Sequence, residues 1–305
     1  MGLGGALGAT LAWGGMFPVF GFMLAYLDPA YLMAVRYLAA GLILITIVVA
    51  LEGARALRFD GRGPAVLALG IGGIGAFNLL IIEGVRLSGP THGALIMATT
   101  PLLAVLVSWI RRRKRPANST LLFIGLAFSG VALVVTRGSL ANLEGGSGLG
   151  DALILSGAFL WALYTVVTPY FSDWSALRFS ALTASIGGVG LVLAALVLSA
   201  THLARVPSAY DLVVTAPGMA YIVLLGVVFA IVAWNVGVKN LGPQRTVLFM
   251  NVVPITTFAV EVFLGRHFAT VEYLGATLTI AALIGNNVFT HQVRPRREIV
   301  GLTSP

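Results

Sequence analysis

The chain has no cysteine among its 305 residues. Disulfides, thiol chemistry and cysteine-held metal sites are therefore excluded. Charge is scarce as well: Asp, Glu, Lys and Arg make up 10% of the residues, against roughly 25% in soluble domains. No basic region precedes the first apolar run, and that run is long enough to span a bilayer, so it reads as a first helix and not as a signal peptide. No ten-residue stretch alternates apolar and polar residues. An open sheet edge cannot be satisfied in lipid, so spanning strands are excluded. Catalytic motifs are missing too. There is no His-Glu-x-x-His, no Gly-x-Ser-x-Gly and no pair of mid-span aspartates. The four histidines, His92, His202, His267 and His291, fall at or near predicted helix ends. An enzyme is not expected, and nothing calls for a cofactor or a metal.

What the chain does have is hydrophobic sequence. Apolar residues make up 58% of it, and the mean hydropathy is +0.96. Each bilayer crossing needs about 20 such residues. Ten runs qualify: 3–26, 30–51, 64–86, 92–110, 119–136, 149–171, 176–200, 217–238, 246–264 and 271–290. The expected fold is an all-α membrane protein with ten transmembrane helices. The 37 glycines suit close helix–helix approach in lipid.

The net charge of +8 lies mostly in loops, which argues for membrane orientation and against nucleic acid. The run Arg111 to Arg115 reads as an anchor with affinity for anionic lipid. With the N-terminus in the cytoplasm, fourteen of the 19 Lys and Arg residues fall in inside loops and five outside. Both termini are thus predicted to be cytoplasmic.

The sequence also repeats itself. Gly84-Val85-Arg86-Leu87-Ser88-Gly89-Pro90 matches Gly237-Val238-Lys239-Asn240-Leu241-Gly242-Pro243. In each copy a second proline, Pro101 or Pro254, follows eleven residues later, with Met97 or Met250 between. Five spans per copy put the second half in the opposite orientation, an inverted-topology repeat of the kind transporters use. The predicted units are 1–137 and 149–290, followed by a basic cytoplasmic tail, 291–305.

These residues resemble the ten-helix EamA-type branch of the drug/metabolite transporter superfamily, most closely the YddG-type (aromatic) amino acid exporters. The resemblance rests on Ala12-Trp13-Gly14-Gly15-Met16-Phe17-Pro18, on Asp28-Pro29-Ala30-Tyr31-Leu32-Met33-Ala34-Val35-Arg36-Tyr37, and on the proline-centred fourth and ninth spans. Many relatives carry Gly-Glu after those two spans. Here the ninth ends Leu264-Gly265-Arg266, so no mechanism is imported through that acid. The resemblance implies a central substrate cavity between the repeats.

The residues can be read for a cavity independently. A proline inside a helix frees the carbonyl four residues earlier. Pro101 frees Met97, Pro254 frees Met250, Pro18 frees Gly14 and Pro169 frees Thr165. Polar residues at mid-span tend to face an interior, which selects Asn78, Thr99, Thr100, Thr165, Asn235 and Asn251. Trp13, Phe17, Phe77, Trp161, Tyr164 and Trp234 supply aromatic surface, with Trp161 and Tyr164 three apart on one helix face. Asn286 and Asn287 are further candidates near the inner end of span ten. His92 is expected to cap a helix or face solvent.

Only Glu83 and Glu261 read as acids within spans. With Arg36 at the same level, they are expected to form an outer charge cluster or gate. No acid falls at the midplane, which argues against proton-coupled efflux of organic cations. No basic residue is seen at mid-span either, which argues against a nucleotide-sugar carrier. The predicted protein is an inner-membrane secondary transporter of amino acids or similar small metabolites, working by alternating access in the export or exchange direction. A monomer is compatible with this. The alternatives are a multidrug or metabolite efflux carrier of the same superfamily and a non-transporting membrane scaffold.

Overall fold

The computed structural model describes residues 2–113, 115–136 and 147–293. Within that range it does not describe the side chains at 111, 112, 135, 136, 147, 244, 283, 284 and 286–293. Residues 294–305 of the predicted basic tail, the side chains of Asn286 and Asn287, and most of the Arg111 to Arg115 side chains therefore lie outside the described residues.

Helix follows helix along the described chain, and no strand occurs there. The elements are α1 (Gly2–Met23), α2 (Pro29–Glu52), α3 (Gly63–Ser88), α4 (Pro90–Met97), α5 (Thr100–Arg112) and α6 (Asn118–Thr136). Then come α7 (Ser147–Val167), α8 (Ala176–Ala200), α9 (Ala209–Leu241), α10 (Pro243–Thr246), α11 (Val252–Phe263) and α12 (Thr270–Val293). Six described helices, α1, α2, α3, α7, α8 and α9, are long and apolar enough to cross a membrane. A seventh crossing results if α4 and α5, which meet at a 41° bend, count as one broken span. Shorter apolar helices cover Asn118–Val134 and Val247–Phe263.

Local chemistry accounts for the helix ends. The Asp28 carboxylate accepts a hydrogen bond from the Ala30 amide at 3.0 Å, and Pro29 opens α2 with its backbone torsion already set. Ser208 and Asp211 form a reciprocal capping box on α9. The duplicated Gly-Pro pairs serve one purpose twice. Gly89 (φ 91°) ends α3 and Gly242 (φ 81°) ends α9. An L side chain is strained at that torsion. Pro90 and Pro243 then start the next helices.

Both long interrupted helices widen into a π-helical stretch, Leu69–Ala76 in α3 and Leu224–Phe229 in α9. A π turn loosens the regular ladder and leaves carbonyls free for other donors. Those in α9 matter to the site below.

Close packing comes from small residues, as expected where lipid supplies no hydrophobic drive between helices. Gly84 of α3 lies so near α7 that a Cβ would come 2.6 Å from the Gly150 carbonyl oxygen. Gly130 of α6 and Gly275 of α12 meet the same way: a Cβ on either would come 2.6 Å from the other's carbonyl oxygen. Large apolar side chains such as Leu42, Leu193 and Phe263 point outward, as a lipid-facing surface requires. Changing Gly84 to Ala is expected to force α3 from α7 at a cost of about 1–3 kcal/mol. A lower unfolding midpoint in detergent checks this. An unchanged midpoint would mean the seam yields freely.

Polar contacts collect at the two ends of the bundle. At one end Arg62 pairs with Asp173 at 2.6 Å, Arg178 with Asp60 at 2.6 Å, and Lys239 donates to the Trp174 carbonyl at 3.0 Å. The hydrogen bond between Arg62 and Asp173 raises the former's pKa and lowers the latter's. At the other end Arg86 pairs with Glu83 and Arg266 with Glu261, both at 2.7 Å.

Candidate functional site

A small cavity of about 50 Å³ lies inside the bundle. α1 contributes Trp13, Met16, Phe17 and Phe20; α2 contributes Arg36 and Tyr37; α3 contributes Phe77, Asn78 and Ile81. Met97 ends α4, Trp161 comes from α7, Gly226 and Ile231 from α9, and Met250 and Val253 from the chain around the second proline break.

One wall is aromatic. The Trp161 ring stacks on Tyr164 (5.0 Å between centroids, 13° between planes) and on Phe77 (5.1 Å, 27°). Trp13 meets Trp161 edge-on at 5.4 Å, and Trp234 packs behind both at 5.2 and 5.8 Å. Each such pair adds about 0.5–1.5 kcal/mol beyond simple burial. The indole N–H of Trp13 donates to the Gly226 carbonyl at 2.9 Å, in the π stretch of α9. The indole nitrogens of Trp161 and Trp234 are buried without a partner.

Beside Trp13, at the same Gly226 carbonyl, the cavity holds a cation. Arg36 is 2% exposed, and among the described residues no carboxylate partners it. Its guanidinium donates to the Asn78 side-chain oxygen at 3.2 Å, to the Ile222 carbonyl at 3.3 Å and to the Gly226 carbonyl at 3.4 Å. It also touches the sulfur of Met16 at 3.2 Å and lies over the rings of Phe20 and Tyr37. These bonds sit at the long end of the normal range. Asn78 is held in turn, its amide donating to the Tyr37 hydroxyl at 2.9 Å and the Ile74 carbonyl at 2.8 Å.

This changes the reading of Arg36. Sequence analysis put it in an outer cluster with Glu83 and Glu261. In the fold those two acids hold separate arginines, Arg86 and Arg266, and Arg36 turns into the cavity. A cation eight positions into an apolar helix is an intramembrane charge, and that alone marks a functional candidate. Counting it as a loop charge hid the signal. The expectation that no basic residue faces the centre is likewise corrected.

Six of the twelve expected substrate contacts line this cavity: Trp13, Phe17, Asn78, Met97, Trp161 and Met250. Tyr164 and Trp234 stand behind the wall. Thr100 is buried, and its hydroxyl donates to the Met97 carbonyl. The carbonyl that Pro101 frees is therefore answered locally and not held open for a ligand. Thr165 is buried outside the lining, its hydroxyl without a partner. Asn251 also lies outside the lining, and its side-chain oxygen has no partner.

The four expected helix breaks differ among themselves. Pro101 starts α5 beyond a 41° bend. Pro254 follows a 3₁₀ stretch, Val247–Asn251. Pro18 stays inside the unbroken α1. Pro169 sits in the 3₁₀ turn Thr168–Phe171 that closes α7, a helix end and not a mid-membrane break.

Asn235 leads to a second opening. Its amide donates to the Tyr164 hydroxyl at 3.1 Å and to Ser180 at 2.8 Å, while its oxygen is buried without a partner. With Phe171, Trp174, Phe179 and Lys239 it lines a pocket at the Arg62 end of the bundle. The stack of Trp161 on Tyr164 and the bond from Asn235 connect the two spaces.

Two further residues escaped the sequence reading. His92 is buried, with its Nδ1 3.0 Å from a carboxylate oxygen of Asp151, also buried. Neither capping nor solvent exposure describes it, and Asp151 is a further buried acid within the helices.

Comparison with known proteins follows the same lines. The model of the EamA-like transporter family matches residues 1–136 and 148–288. Uncharacterized transporter YrdR of Bacillus subtilis (strain 168) is 30% identical over 92% of this chain and 89% of its own length. Uncharacterized transporter YyaM of the same organism is 30% identical over 91% and 90%. Uncharacterized inner membrane transporter YedA of Escherichia coli (strain K12) is 25% identical over 92% and 89%. A solved crystal structure superposes with a TM-score of 0.68 over 95% of this chain and 97% of its own, at 19% identity, a likeness of fold alone.

Proposed function

The chain belongs to the EamA-like transporter family, and we propose that it carries small amphipathic carboxylates, amino acids first among them, by alternating access. It is a multi-pass membrane protein with transporter relatives. The observation behind the substrate class is Arg36: a buried guanidinium, facing the cavity, without an anion. Burying an unpaired cation costs several kcal/mol. A substrate carboxylate supplies the missing charge and makes the strong bidentate bond arginine favours. The faces of Trp13, Phe77 and Trp161 suit an apolar or aromatic side chain.

The same cation disfavours the multidrug reading, since an organic cation would meet like charge in a low-dielectric space. The working arrangement is ten spans in two inverted repeats, 1–137 and 149–290, both termini cytoplasmic. In that orientation the Asn235 pocket opens inward and receives substrate for export.

Liposomes containing the purified protein, preloaded with unlabelled amino acids, should accumulate labelled L-amino acids by counterflow. Absence of flux for every amino acid, with and without a pH gradient, would remove this substrate class.

A further inference from the structure

Three consecutive residues at the start of α4 each touch a different helix. The Thr91 hydroxyl donates to Glu261 of α11 at 2.6 Å. His92 meets Asp151 of α7 at 3.0 Å. Gly93 lies against Phe17 of α1, so closely that a Cβ would come within 2.6 Å of the ring. Behind these contacts α4 ends at Met97, on the cavity wall. Gly89, with φ 91°, precedes it, and the 41° bend follows it. α4 is thus a buried eight-residue helix between a glycine turn and a bend, anchored at its first turn.

In one anchor Arg266 pairs with Glu261 at 2.7 Å. The other can change its charge. The His92 side chain is 6% exposed and that of Asp151 is 11% exposed, and the second carboxylate oxygen of Asp151 is buried without a partner. With a proton on the imidazole, the pair is neutral overall and the Nδ1–H donates to the carboxylate. Without it, one uncompensated negative charge remains in a dry seam, which is costly.

No neighbour among the described residues offsets that charge. Among the described residues, α3 brings Glu83 and Arg86, already paired together, and α11 brings Glu261, paired with Arg266. α1 and α6 carry no ionisable side chain. As far as Ile110, α5 carries no ionisable side chain, α7 itself adds Tyr164, and α10 and the turn after α7 bring Arg245 and Tyr170 at the Arg62 end of the bundle.

We propose that His92 and Asp151 form a proton-binding site that keeps the α4 lid closed when occupied and releases it when empty. Acid then favours the closed lid. As pH rises the proton leaves, the buried charge draws in water, and the cavity opens at the Gly89 end. The inference uses the cavity as the transport site but needs no knowledge of the substrate.

The natural absence of cysteine makes the test direct. Ile81→Cys places a thiol on the cavity wall, and Leu203→Cys, at a position 74% exposed, corrects for the reagent's own pH dependence. Labelling by a membrane-impermeant maleimide is followed in lipid nanodiscs from about pH 5.5 to about pH 8.5. With the native pair, the corrected rate at Ile81→Cys should rise several-fold across that range. With Asp151→Asn added it should stay slow and flat, because the pair then never carries a net negative charge. A flat native profile, or an unchanged slope in Asp151→Asn, overturns the proposal. Should Asp151→Asn fail to fold, the ring nitrogen resonances of His92, assigned by their loss in His92→Gln, must change over the pH range where labelling rises. Resonances that stay constant overturn it equally. A flat labelling profile leaves the carboxylate reading standing, and missing amino acid flux leaves the proton site standing.

Discussion

Replacing Arg36 with Gln should lower amino acid counterflow by roughly 30- to 1,000-fold, equivalent to about 2–4 kcal/mol. The carboxylate would lose its one cationic partner in the cavity and still have to shed its water to enter. Protein stability should behave differently. The hydrogen bonds of Arg36 are long, at 3.2 to 3.4 Å to oxygen, and its charge has no anion, so removing it relieves a desolvation cost. The unfolding midpoint of Arg36→Gln is therefore expected to match or exceed that of the parent. Arg36→Lys should restore little flux, because an ammonium cannot reach the Asn78 oxygen, two carbonyls and a carboxylate from one plane. Flux equal to the parent in Arg36→Gln would end the carboxylate reading. A flux loss explained by a matching fall in the midpoint would reassign Arg36 to the scaffold.

Trp161→Ala should be damaging in both respects. The ring is 3% exposed and packs on Phe77, Tyr164, Trp13 and Trp234 at once. Truncating a buried tryptophan costs about 3–5 kcal/mol, so the unfolding midpoint should fall clearly and transport should be lost. Trp161→Phe separates packing from chemistry. The indole nitrogen of Trp161 has no hydrogen-bond partner, so a phenyl ring gives up area and no bond. It should keep the stack with Tyr164, most of the stability and a measurable share of transport. Thermal unfolding and counterflow on the same preparations check both variants. A parent-like midpoint in Trp161→Ala would contradict the packing described for this wall.

How far the site could be read in advance varied with the residue. Trp13, Phe17, Asn78, Met97, Trp161 and Met250 were legible because aromatic, amide and proline-linked residues at mid-span are costly to leave facing lipid. Thr165 and Asn251 satisfied the same rule yet fall outside the lining, their side-chain oxygens buried without a partner, because burial between helices shields a polar residue from lipid as a cavity does. The Met97 carbonyl was found correctly as a freed group, but its answer by the Thr100 hydroxyl three residues away depends on the rotamer adopted at the bend. Arg36 and Asp151 were visible as charges and misjudged in depth. Each lies near the start of an apolar run, and hydropathy alone does not say how far such a helix end is covered by its neighbours.

Membrane character, the helical runs, the doubled Gly-Pro turns and the proline positions are all properties of the sequence by itself. Each follows from a local rule: apolar length against bilayer thickness, or the backbone torsions that glycine and proline permit. Which way each helix faces was decided only in the tertiary structure. A helix apolar on all sides carries no stripe that distinguishes lipid from interior. The contacts that make the site, Arg36 with the Gly226 carbonyl 190 positions away and His92 with Asp151 59 positions away, arise from the mutual rotation of helices. Close approach of small residues such as Gly84 and Gly150 sets that rotation, through shape that no single segment contains.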